Sequence, residues 1–387
     1  MVTTRSVLPT AVPWARVATA LAPAGVYLAI RLTGLLVLAW MATQHDTSLV
    51  RELTSWDGAW LLAIAEHGYD GVPAHHVDAH GQRDPFTTLA FFPGYPLTVA
   101  VVARLVGGDV VIAGLLVSLV AGIAAAYGLT RIGELVPGGS RRVGLLLVAL
   151  FAAAPPAYVL NMTYTEALFC ALAAWALVAV LRRQWLSAGV LTAGAGLVRP
   201  TANALLVAVG LAAVVAAVTR REGWRPWVGT AVAASGLLGY LGYVAVRTGT
   251  IDGWFAIQRA GWGWHVDGGR STLAAVGAAL VNGQRIFDVV LVLSFAASLV
   301  LTALAVRARL PWPLLCYGAV VLATVWGSAG LTYAKVRLLL VAFVLLLPVA
   351  VALARVRTTT AVAVVAGAAL ASAWFGGYAL TIWRYGI

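Results

Sequence analysis

The sequence is poor in charge. Only 10% of its 387 residues are Asp, Glu, Lys or Arg, whereas 61% are hydrophobic. Soluble domains carry about 25% charged residues, so this composition excludes an ordinary soluble protein. With 26 basic and 14 acidic residues in the whole chain, long uncharged segments are unavoidable, and about 20 apolar residues span a bilayer. The composition predicts a protein that crosses the membrane several times.

Lysine and cysteine are nearly absent as well. Lys335 is the single lysine, so the formal net charge of +12 comes from arginine. The arginines lie in pairs between apolar segments, which is the distribution that the positive-inside rule describes and which excludes nucleic acid as the partner. Cys170 and Cys316 both lie within apolar segments. The disulfide framework of a secreted scaffold is therefore excluded.

The apolar segments predict an all-α integral membrane protein in which residues 1–387 form a single polytopic domain. The first segment, from about Val17 to Ala42, is too long for the core of a signal peptide and lacks a convincing cleavage site, so we expect a retained helix. We expect eleven membrane spans, near residues 17–42, 109–131, 143–160, 164–181, 185–198, 200–219, 227–247, 288–306, 312–330, 336–354 and 360–382.

The segment Phe91–Val106 could be a further span or a helix on the outer surface. As a span, it would place the arginines of residues 131–142 on the same side as the first large loop. As a surface helix, it places fourteen basic residues inside with only two acidic residues, and the positive-inside rule favours this arrangement. We therefore expect the N-terminus inside, the C-terminus outside, and two outer loops at residues 43–108 and 248–287.

The first outer loop concentrates the ionisable residues. Seven of the fourteen acidic residues and five of the six histidines lie between His45 and Asp84. Long loops in compact folds are usually functional or disordered. The histidines of segment 75–80 could ligate a metal ion if they were helical, but glycines and prolines bracket the segment and favour an irregular loop. We therefore expect no metal site there.

The sequence SWDGAWLLAIAEHGYD, which begins at Ser55, has the pattern of a helix in this loop. Ser55 or Asp57 is expected to cap the helix, and Trp60 and His67 share one of its faces. Trp56 and Trp60 suit the membrane interface, where aromatic rings lie at headgroup depth. An amphipathic surface helix with Asp57 as a simple cap explains the segment as well as a catalytic motif does.

Four segments of the chain resemble, in the same order, the PIG-V-like mannosyltransferase family: SWDGAWLLAIAEHGYD, AFFPGYPL, YTEALF and GLVRPTA. They extend from about residue 50 to residue 205. A weaker similarity lies at YAKVRLLLVAFVLLLPVA, where relatives have an arginine before a similar apolar span. The family belongs to the GT-C superfamily of membrane glycosyltransferases and has bacterial relatives in actinobacteria.

This resemblance implies a GT-C fold in the bacterial plasma membrane, with an active site that faces outward. It implies an enzyme with a polyprenyl-phosphate mannose donor, an acidic residue in the first outer loop, and no catalytic metal or other cofactor. The expected acceptor is a hydroxyl group of a lipid-linked glycan or of another outer-surface molecule, and membrane lipids are further partners.

Two alternatives are another polyprenyl-phosphate sugar as donor and a transporter of a polyprenyl-linked lipid. No residue in the sequence indicates which sugar is bound. A transporter needs ionisable groups along a path through the bilayer. The predicted spans after Arg31 are nearly free of charge in their central parts, which favours the enzyme.

A single carboxylate suffices for the implied reaction. Glycoside hydrolases usually need two carboxyl groups because an alkoxide leaving group must be protonated. A polyprenyl phosphate leaves as a stabilised anion, so the enzyme needs a base for the acceptor hydroxyl and cations for the departing phosphate. By its place in the first motif, Asp57 is the expected base, and direct attack implies inversion at the sugar.

Three basic residues lie at outer boundaries of apolar segments, against the positive-inside bias. Arg199 precedes Pro200 at the start of a predicted span, where the helix dipole opposes a cation and a bound anion would favour one. Lys335 and Arg337 lie at a second boundary. They could instead extend to lipid phosphates. Because a guanidinium binds phosphate in a bidentate manner, Arg337 and Arg199 are better phosphate ligands than Lys335.

Glu166 lies near the outer end of another predicted span. Its spacing from Thr163 is that of a capping box, whereas an ionisable group at membrane depth usually has a function, such as orienting substrate hydroxyls or pairing with an arginine. Arg31, within the first span, could likewise form a structural pair or contact a phosphate. Beside the catalytic Asp57, the predicted substrate-binding residues are Trp56, Trp60, Glu66, His67, Tyr69, Tyr95, Tyr164, Glu166, Arg199, Lys335 and Arg337.

The predicted topology can be tested with reporter fusions. If Phe91–Val106 lies on the outer surface, a reporter fused after Asp84 should be exterior and one fused after Arg142 should be cytoplasmic. Paired alkaline phosphatase and fluorescent-protein fusions measure both positions. Fusions that report the same side would contradict the eleven-span topology.

Overall fold

The structure is a computed structural model that describes residues 14–219, 223–383 and 385–386. Four residues that the topology prediction counts on the inner side, Arg5, Arg220, Arg221 and Glu222, lie outside these ranges. The described part of the chain is helical throughout, apart from loops and one isolated antiparallel bridge between Val266 and Ser328. It confirms the prediction that the protein is all-α.

Seventeen α-helices follow one another in the described residues: α1 (Trp14–Gln44), α2 (Leu49–Leu53), α3 (Asp57–Gly71), α4 (Gly94–Ala103), α5 (Val110–Leu135), α6 (Arg141–Ala152), α7 (Glu166–Leu181), α8 (Trp185–Val198), α9 (Asn203–Val218), α10 (Arg225–Thr248), α11 (Gly253–Trp262), α12 (Arg270–Asn282), α13 (Ile286–Arg307), α14 (Trp312–Trp326), α15 (Ala334–Leu338), α16 (Leu347–Arg355) and α17 (Thr358–Thr381). The 3₁₀ segments among them are Thr87–Ala90, Pro155–Asn161, Pro200–Ala202 and Leu339–Leu346.

Helices occupy all eleven segments that were predicted as spans. Within the described residues, seven are long and apolar enough to cross a membrane: Arg16–Gln44, Val110–Leu135, Pro200–Val218, Arg225–Thr248, Ile286–Arg307, Ala334–Arg355 and Thr358–Thr381. An eighth would combine α6 with the segment Pro155–Asn161, across a bend of 85°. The three other predicted spans correspond to the shorter apolar helices α7, α8 and α14. Length and composition thus qualify seven or eight spans, fewer than the eleven expected.

The segment with the ambiguous assignment forms α4, of ten residues. At 1.5 Å per residue this helix is about 15 Å long, roughly half of the hydrocarbon core. Its Tyr95 and Val99 are fully buried in a cluster with Leu61 and Leu62 of α3 and Ala113 of α5. The loop of residues 43–108 therefore packs on the helical bundle, and residues 248–287 contribute α11 and α12 in the same way.

The main core lies where α5, α6, α7 and α14 meet the irregular segment before α16. Its large side chains are fully buried: Leu129, Phe151, Phe169, Tyr317 and Phe343. Around this core the helices expose apolar side chains, among them Val289, Leu293, Leu299 and Val300 of α13. An apolar surface of this kind is compatible with lipid contact but not with water.

Helices α8 and α10 approach each other through glycine. Gly189 of α8 lies against Gly229 of α10. Two helical turns further along α8, Gly196 lies against Leu237. A Cβ atom on Gly236 would collide with the backbone carbonyl of Ala193. Small residues allow such close backbone approach between membrane helices, where packing rather than the hydrophobic effect drives association.

Two glycines of α10 provide a matched test of this packing. Gly236→Ala should destabilise the protein by about 1–3 kcal/mol, because the added methyl group meets backbone that cannot move aside. Gly239→Ala on the same helix, where a Cβ would have no atom within 4 Å, should be neutral or slightly stabilising. Thermal melting in one detergent compares the two variants. Equal melting temperatures would show that α8 and α10 do not pack as described.

Candidate active site

Four ionisable side chains that are distant in sequence form one cluster of alternating charge. Arg337 Nη1 donates a hydrogen bond of 2.7 Å to Asp57 Oδ2, across 280 residues of sequence. Arg337 Nε lies 3.6 Å from Glu166 Oε1, and the same carboxylate oxygen lies 2.5 Å from Arg199 Nη1. Two carboxylates and two guanidinium groups thus alternate and cancel in charge. We call these four residues the charged cluster.

Each member of the charged cluster lies at or next to a helix terminus. Asp57 is the first residue of α3 and Glu166 is the first residue of α7. The positive end of the helix dipole stabilises a carboxylate at this position. Arg199 follows the last residue of α8, and Arg337 lies in the short helix α15. Helix ends rather than helix faces bring the four charges together.

The start of α3 is held against the residues that precede α7. The backbone N–H of Thr163 donates to the carbonyl of Leu53 at 3.0 Å. The hydroxyl of Tyr164 accepts from the backbone N–H of Asp57 at 3.2 Å. Gly58 allows this approach, since a Cβ at this position would lie 2.6 Å from Thr163 Oγ1. These contacts fix Asp57 beside the start of α7.

The predicted caps of α3 and α7 are wrong. Trp56, and neither Ser55 nor Asp57, occupies the N-cap position of α3, and it makes no side-chain capping bond. Its φ of 55° and ψ of −124° are strained for a residue with a side chain, and such strain persists only where surrounding contacts impose it. In α7 the N-cap residue is Thr165, again without a capping bond, so no capping box links Thr163 with Glu166. In both helices, tertiary contacts replace the local ones.

Burial differs along the charged cluster. Glu166 is completely buried, and the side chains of Arg199 and Arg337 are 10% exposed. The side chain of Asp57 is 35% exposed. Asp57 therefore forms the open end of the cluster, and Glu166 lies behind the arginines.

The two guanidinium groups have further partners and further capacity. Arg199 Nη1 donates to Thr165 Oγ1 at 2.7 Å, and the guanidinium carbon of Arg337 lies 5.1 Å from the ring centroid of Tyr164. Among the described residues, the buried Nε atoms of Arg199 and Arg337 have no hydrogen-bond partner. Unpartnered buried donors are costly, so both guanidinium groups have capacity for a further acceptor.

The sequence motifs indicated all four members of the charged cluster, together with Tyr164. They did not indicate Thr165, although it stands next to Glu166 in the segment YTEALF. A hydroxyl beside a carboxylate at a helix start carries no signal of its own before its arginine partner is known. Of the roles left open for Glu166, capping is excluded by the geometry and pairing with arginines is observed.

Lys335 lies near the charged cluster in sequence but has other partners. Its Nζ donates to Thr272 Oγ1 and to the carbonyl of Ser328, both at 2.5 Å. Thr272 in turn donates to the carbonyl of Trp326 at 2.7 Å. Lys335 therefore ties α12, in the loop of residues 248–287, to the turn after α14. The hydrogen bonds from Ser271 and Gly269 to Asp267 in the same loop lower the pKa of that carboxyl group to about 2.

Three of the predicted binding residues, two of them buried and Tyr69 partly buried, support the loop of residues 43–108. Tyr95 is fully buried and donates to the carbonyl of Gly114 at 2.8 Å. Tyr69 donates to the carbonyl of Phe91 at 2.8 Å. Trp60 stacks on the ring of Phe91 at 5.2 Å. Their contacts in the structure are with the protein, so a substrate role stays a prediction for each.

Three others lie at the surface. Trp56 is exposed and precedes Asp57 directly, which places it beside the open end of the charged cluster. Glu66 and His67 are exposed and 3.7 Å apart. They follow Asp57 by about ten residues, or roughly 14 Å along a helix, so the structure does not bring them to the charged cluster.

Arg31 and the histidine segment also have structural partners. Arg31 Nη1 donates to the carbonyl of Ala152 at 2.8 Å, which is the structural pairing left open above. The ring of His76 packs edge-on against Trp60 at 5.3 Å, and burial lowers the pKa of this imidazole. Among the described residues, no three His, Cys, Asp or Glu side chains are grouped so that they could hold a metal ion.

No protein-family model and no curated protein matches the chain. Among solved structures, it is similar to ArnT from Cupriavidus metallidurans bound to undecaprenyl phosphate, with a TM-score of 0.51 and 16% identity over 87% of this chain and 61% of that chain. The protein has an all-α membrane fold of GT-C type. The predicted fold is thereby confirmed, while the PIG-V-like family stays a prediction.

Two further solved structures are similar at lower scores. The oligosaccharyltransferase of Archaeoglobus fulgidus in complex with Zn and sulfate has a TM-score of 0.48 at 13% identity, over 92% of this chain and 53% of that chain. The archaeal oligosaccharyltransferase AglB from Archaeoglobus fulgidus, in complex with an inhibitory peptide and a dolichol-phosphate, has a TM-score of 0.49 at 12% identity, over 93% and 56%. The present chain thus spans about three-fifths of ArnT and just over half of the other two.

Charge balance at Glu166 leads to a stability prediction. Glu166→Gln should destabilise the protein by about 3–5 kcal/mol, because two largely buried guanidinium groups lose a carboxylate partner. Glu66→Gln, which changes an exposed carboxylate on α3, should leave stability unchanged within about 0.5 kcal/mol. Thermal melting in detergent compares the stability of both variants with that of the unmodified protein. A Glu166→Gln protein as stable as the Glu66→Gln control would mean that the buried charges are not coupled.

Proposed function

We propose that the protein is an inverting glycosyltransferase of the bacterial plasma membrane. It transfers mannose from a polyprenyl-phosphate mannose donor to a hydroxyl group of a lipid-linked glycan or of another acceptor at the outer surface. The observation that supports this proposal best is the contact of 2.7 Å between Asp57 and Arg337 at the open end of the charged cluster. It joins a proton acceptor and a phosphate ligand in one site.

The proposed step balances in charge with these residues alone. The acceptor oxygen attacks the anomeric carbon from the side opposite the phosphate, and the carboxylate of Asp57 takes the hydroxyl proton. The bond between the anomeric carbon and the phosphate oxygen breaks, so the phosphodiester monoanion becomes a phosphomonoester dianion. One negative charge moves from Asp57 to the leaving phosphate. Inversion converts a β-linked donor into an α-linked product.

Arg337 is the proposed ligand of this phosphate. A preorganised cation aimed at developing charge stabilises the transition state more than the ground state. The guanidinium of Arg337 lies over the ring of Tyr164 and beside Glu166, so its position is fixed before substrate binds. Arg199 lies deeper and neutralises Glu166, so Arg337 is the guanidinium at the open end of the charged cluster.

Different observations support the proposed lipid carrier and the proposed sugar. ArnT, whose fold this chain shares, is bound to undecaprenyl phosphate, and this supports a polyprenyl phosphate as the carrier here. Mannose is supported by the resemblance of the motifs around Asp57, Tyr95, Glu166 and Arg199 to PIG-V-like enzymes. No cofactor is proposed, since the guanidinium of Arg337 provides positive charge for the departing phosphate.

Purified protein should release polyprenyl phosphate from labelled polyprenyl-phosphate mannose when a suitable acceptor is present. A panel of donors with mannose, glucose and galactose, combined with a panel of hydroxyl acceptors, identifies the sugar and the acceptor. Nuclear magnetic resonance of the product gives the anomer. Movement of intact donor across vesicle membranes without release of polyprenyl phosphate would identify a transporter instead.

Asp57→Asn distinguishes a base from a helix cap. Asn caps helices about as well as Asp but cannot take a proton, so a base predicts a folded variant that loses roughly 10²–10⁴ in turnover. Arg337→Ala should lower kcat/KM by about 10²–10³, the loss seen when one charge-stabilising group is removed. Asp70→Asn, which changes an exposed carboxylate on the same helix, is the matched control and should keep full activity. Normal turnover of Asp57→Asn would exclude Asp57 as the base.

A further inference from the structure

In the structure, the proposed base and the proposed phosphate ligand are hydrogen-bonded to each other. Among the described residues, Arg337 is the one group that donates a hydrogen bond to the Asp57 carboxylate. A carboxylate that accepts a charge-assisted hydrogen bond is held in place, and the oxygen that accepts it is engaged with its donor. Likewise, a guanidinium engaged by a carboxylate is less available to a phosphate. In this arrangement, Asp57 is not free to accept a proton and Arg337 is not free to bind a phosphate.

Burial decides which carboxylate an incoming phosphate could replace. Glu166 has no exposed surface and is 2.5 Å from Arg199, so it would leave the arginines only at a large cost in free energy. The Asp57 side chain is 35% exposed and can move into solvent or towards an acceptor. An anion that approaches Arg337 from outside therefore competes with Asp57 and not with Glu166.

Charge balance leads to the same result. The charged cluster contains two negative and two positive groups, so it is neutral as it stands. A phosphodiester placed beside Arg337 adds one negative charge to a largely buried site, where unpaired charge is costly. Displacement of Asp57 from the guanidinium restores the pairing of Arg337 with a single external anion. The buried pair of Glu166 and Arg199 stays unchanged.

The guanidinium can change partners without moving. Its face lies over Tyr164, and its Nε lies 3.6 Å from Glu166. That Nε has no hydrogen-bond partner among the described residues. An arginine has five N–H donors in a planar fork that matches two oxygens of a phosphate, whereas Asp57 engages one of them. A phosphate would thus gain contacts that the carboxylate does not make.

We infer that the donor phosphate displaces Asp57 from Arg337, and that this displacement releases the carboxylate as the base. The inference rests on the proposed function and extends it to the order of events. The phosphodiester binds first and frees Asp57, which then accepts the proton of the acceptor hydroxyl. In the free protein, Asp57 is a competitor for the phosphate site and holds Arg337 in its place.

This competition predicts an unusual variant, one that loses turnover but gains affinity. The probe is undecaprenyl phosphate, whose phosphate is that of the proposed leaving group. Asp57→Ala, which has no side-chain acceptor, should bind this lipid about three- to tenfold more tightly than the unmodified protein, as expected for loss of a partly exposed ion pair. Asp57→Asn, whose amide oxygen can still accept from Arg337, should gain less. Arg337→Ala should bind more weakly by about tenfold or more.

A double-mutant cycle separates competition from simple repulsion between Asp57 and the phosphate. Affinities are measured in detergent by thermophoresis for the unmodified protein, Asp57→Ala, Arg337→Ala and the double variant. Competition predicts that Asp57→Ala loses its gain in the Arg337→Ala background, to within about twofold. Asp70→Asn removes an exposed negative charge from the same helix and should leave the affinity unchanged. Melting curves check that each variant is folded, and Asp57→Asn replaces Asp57→Ala if the latter is not.

The outcomes separate the inference from the proposed function. An equal gain of affinity in both backgrounds indicates repulsion alone and overturns the inference, as does the absence of any gain. In both cases, release of polyprenyl phosphate from the labelled donor by the unmodified protein leaves the proposed function intact. Coupling between Asp57 and Arg337 without any such release would support competition for a lipid phosphate and contradict the glycosyltransferase.

Discussion

The arrangement of the site depends on one fully buried carboxylate, that of Glu166. A charge without exposed surface in a membrane protein requires a paired partner, and Glu166 has two, at 2.5 Å and 3.6 Å. To supply them, the end of α8 and the short helix α15 must both meet the start of α7. Replacement of buried ion pairs by apolar residues often leaves stability equal or higher. The cluster is therefore better explained by position than by stability, because it places Arg337 where Asp57 reaches it.

Glu166 and Asp57 both carry a carboxylate, but the two differ in how deeply they are buried. The inner carboxylate is enclosed and fixes the arginines, whereas the outer one is 35% exposed and reaches the protein surface. Arg337 contacts both, so its guanidinium is oriented by Glu166 on the buried side and meets Asp57 on the exposed side. Preorganisation of this kind reduces the reorganisation needed as charge develops on a leaving group. The strained backbone at Trp56 belongs to the same arrangement, since docking of α3 imposes it.

The sequence identified the residues of the charged cluster because ionisable groups are rare in so apolar a chain, and each one at a span boundary is conspicuous. It could not show that Arg337 meets Asp57 across 280 residues, since pairing depends on tertiary packing. Local rules failed where tertiary contacts prevailed. The contact between Thr163 and Leu53 explains why the expected capping box is absent. Span counting likewise could not detect the bend of 85° at the 3₁₀ segment Pro155–Asn161.

That bend and a second irregular segment have a common explanation. Lipid-exposed backbone must be regularly hydrogen-bonded, so non-helical backbone within a membrane is tolerated only inside protein or along a cavity. The segment Pro155–Asn161 leads into Tyr164 and Glu166, and the segment Leu339–Leu346 follows Arg337. Both are largely buried. The first segment separates α6 from α7, so that α7 can begin at Glu166. The second segment ends the regular helix α15 just after Arg337. The broken helices therefore provide the ends on which the opposite charges meet.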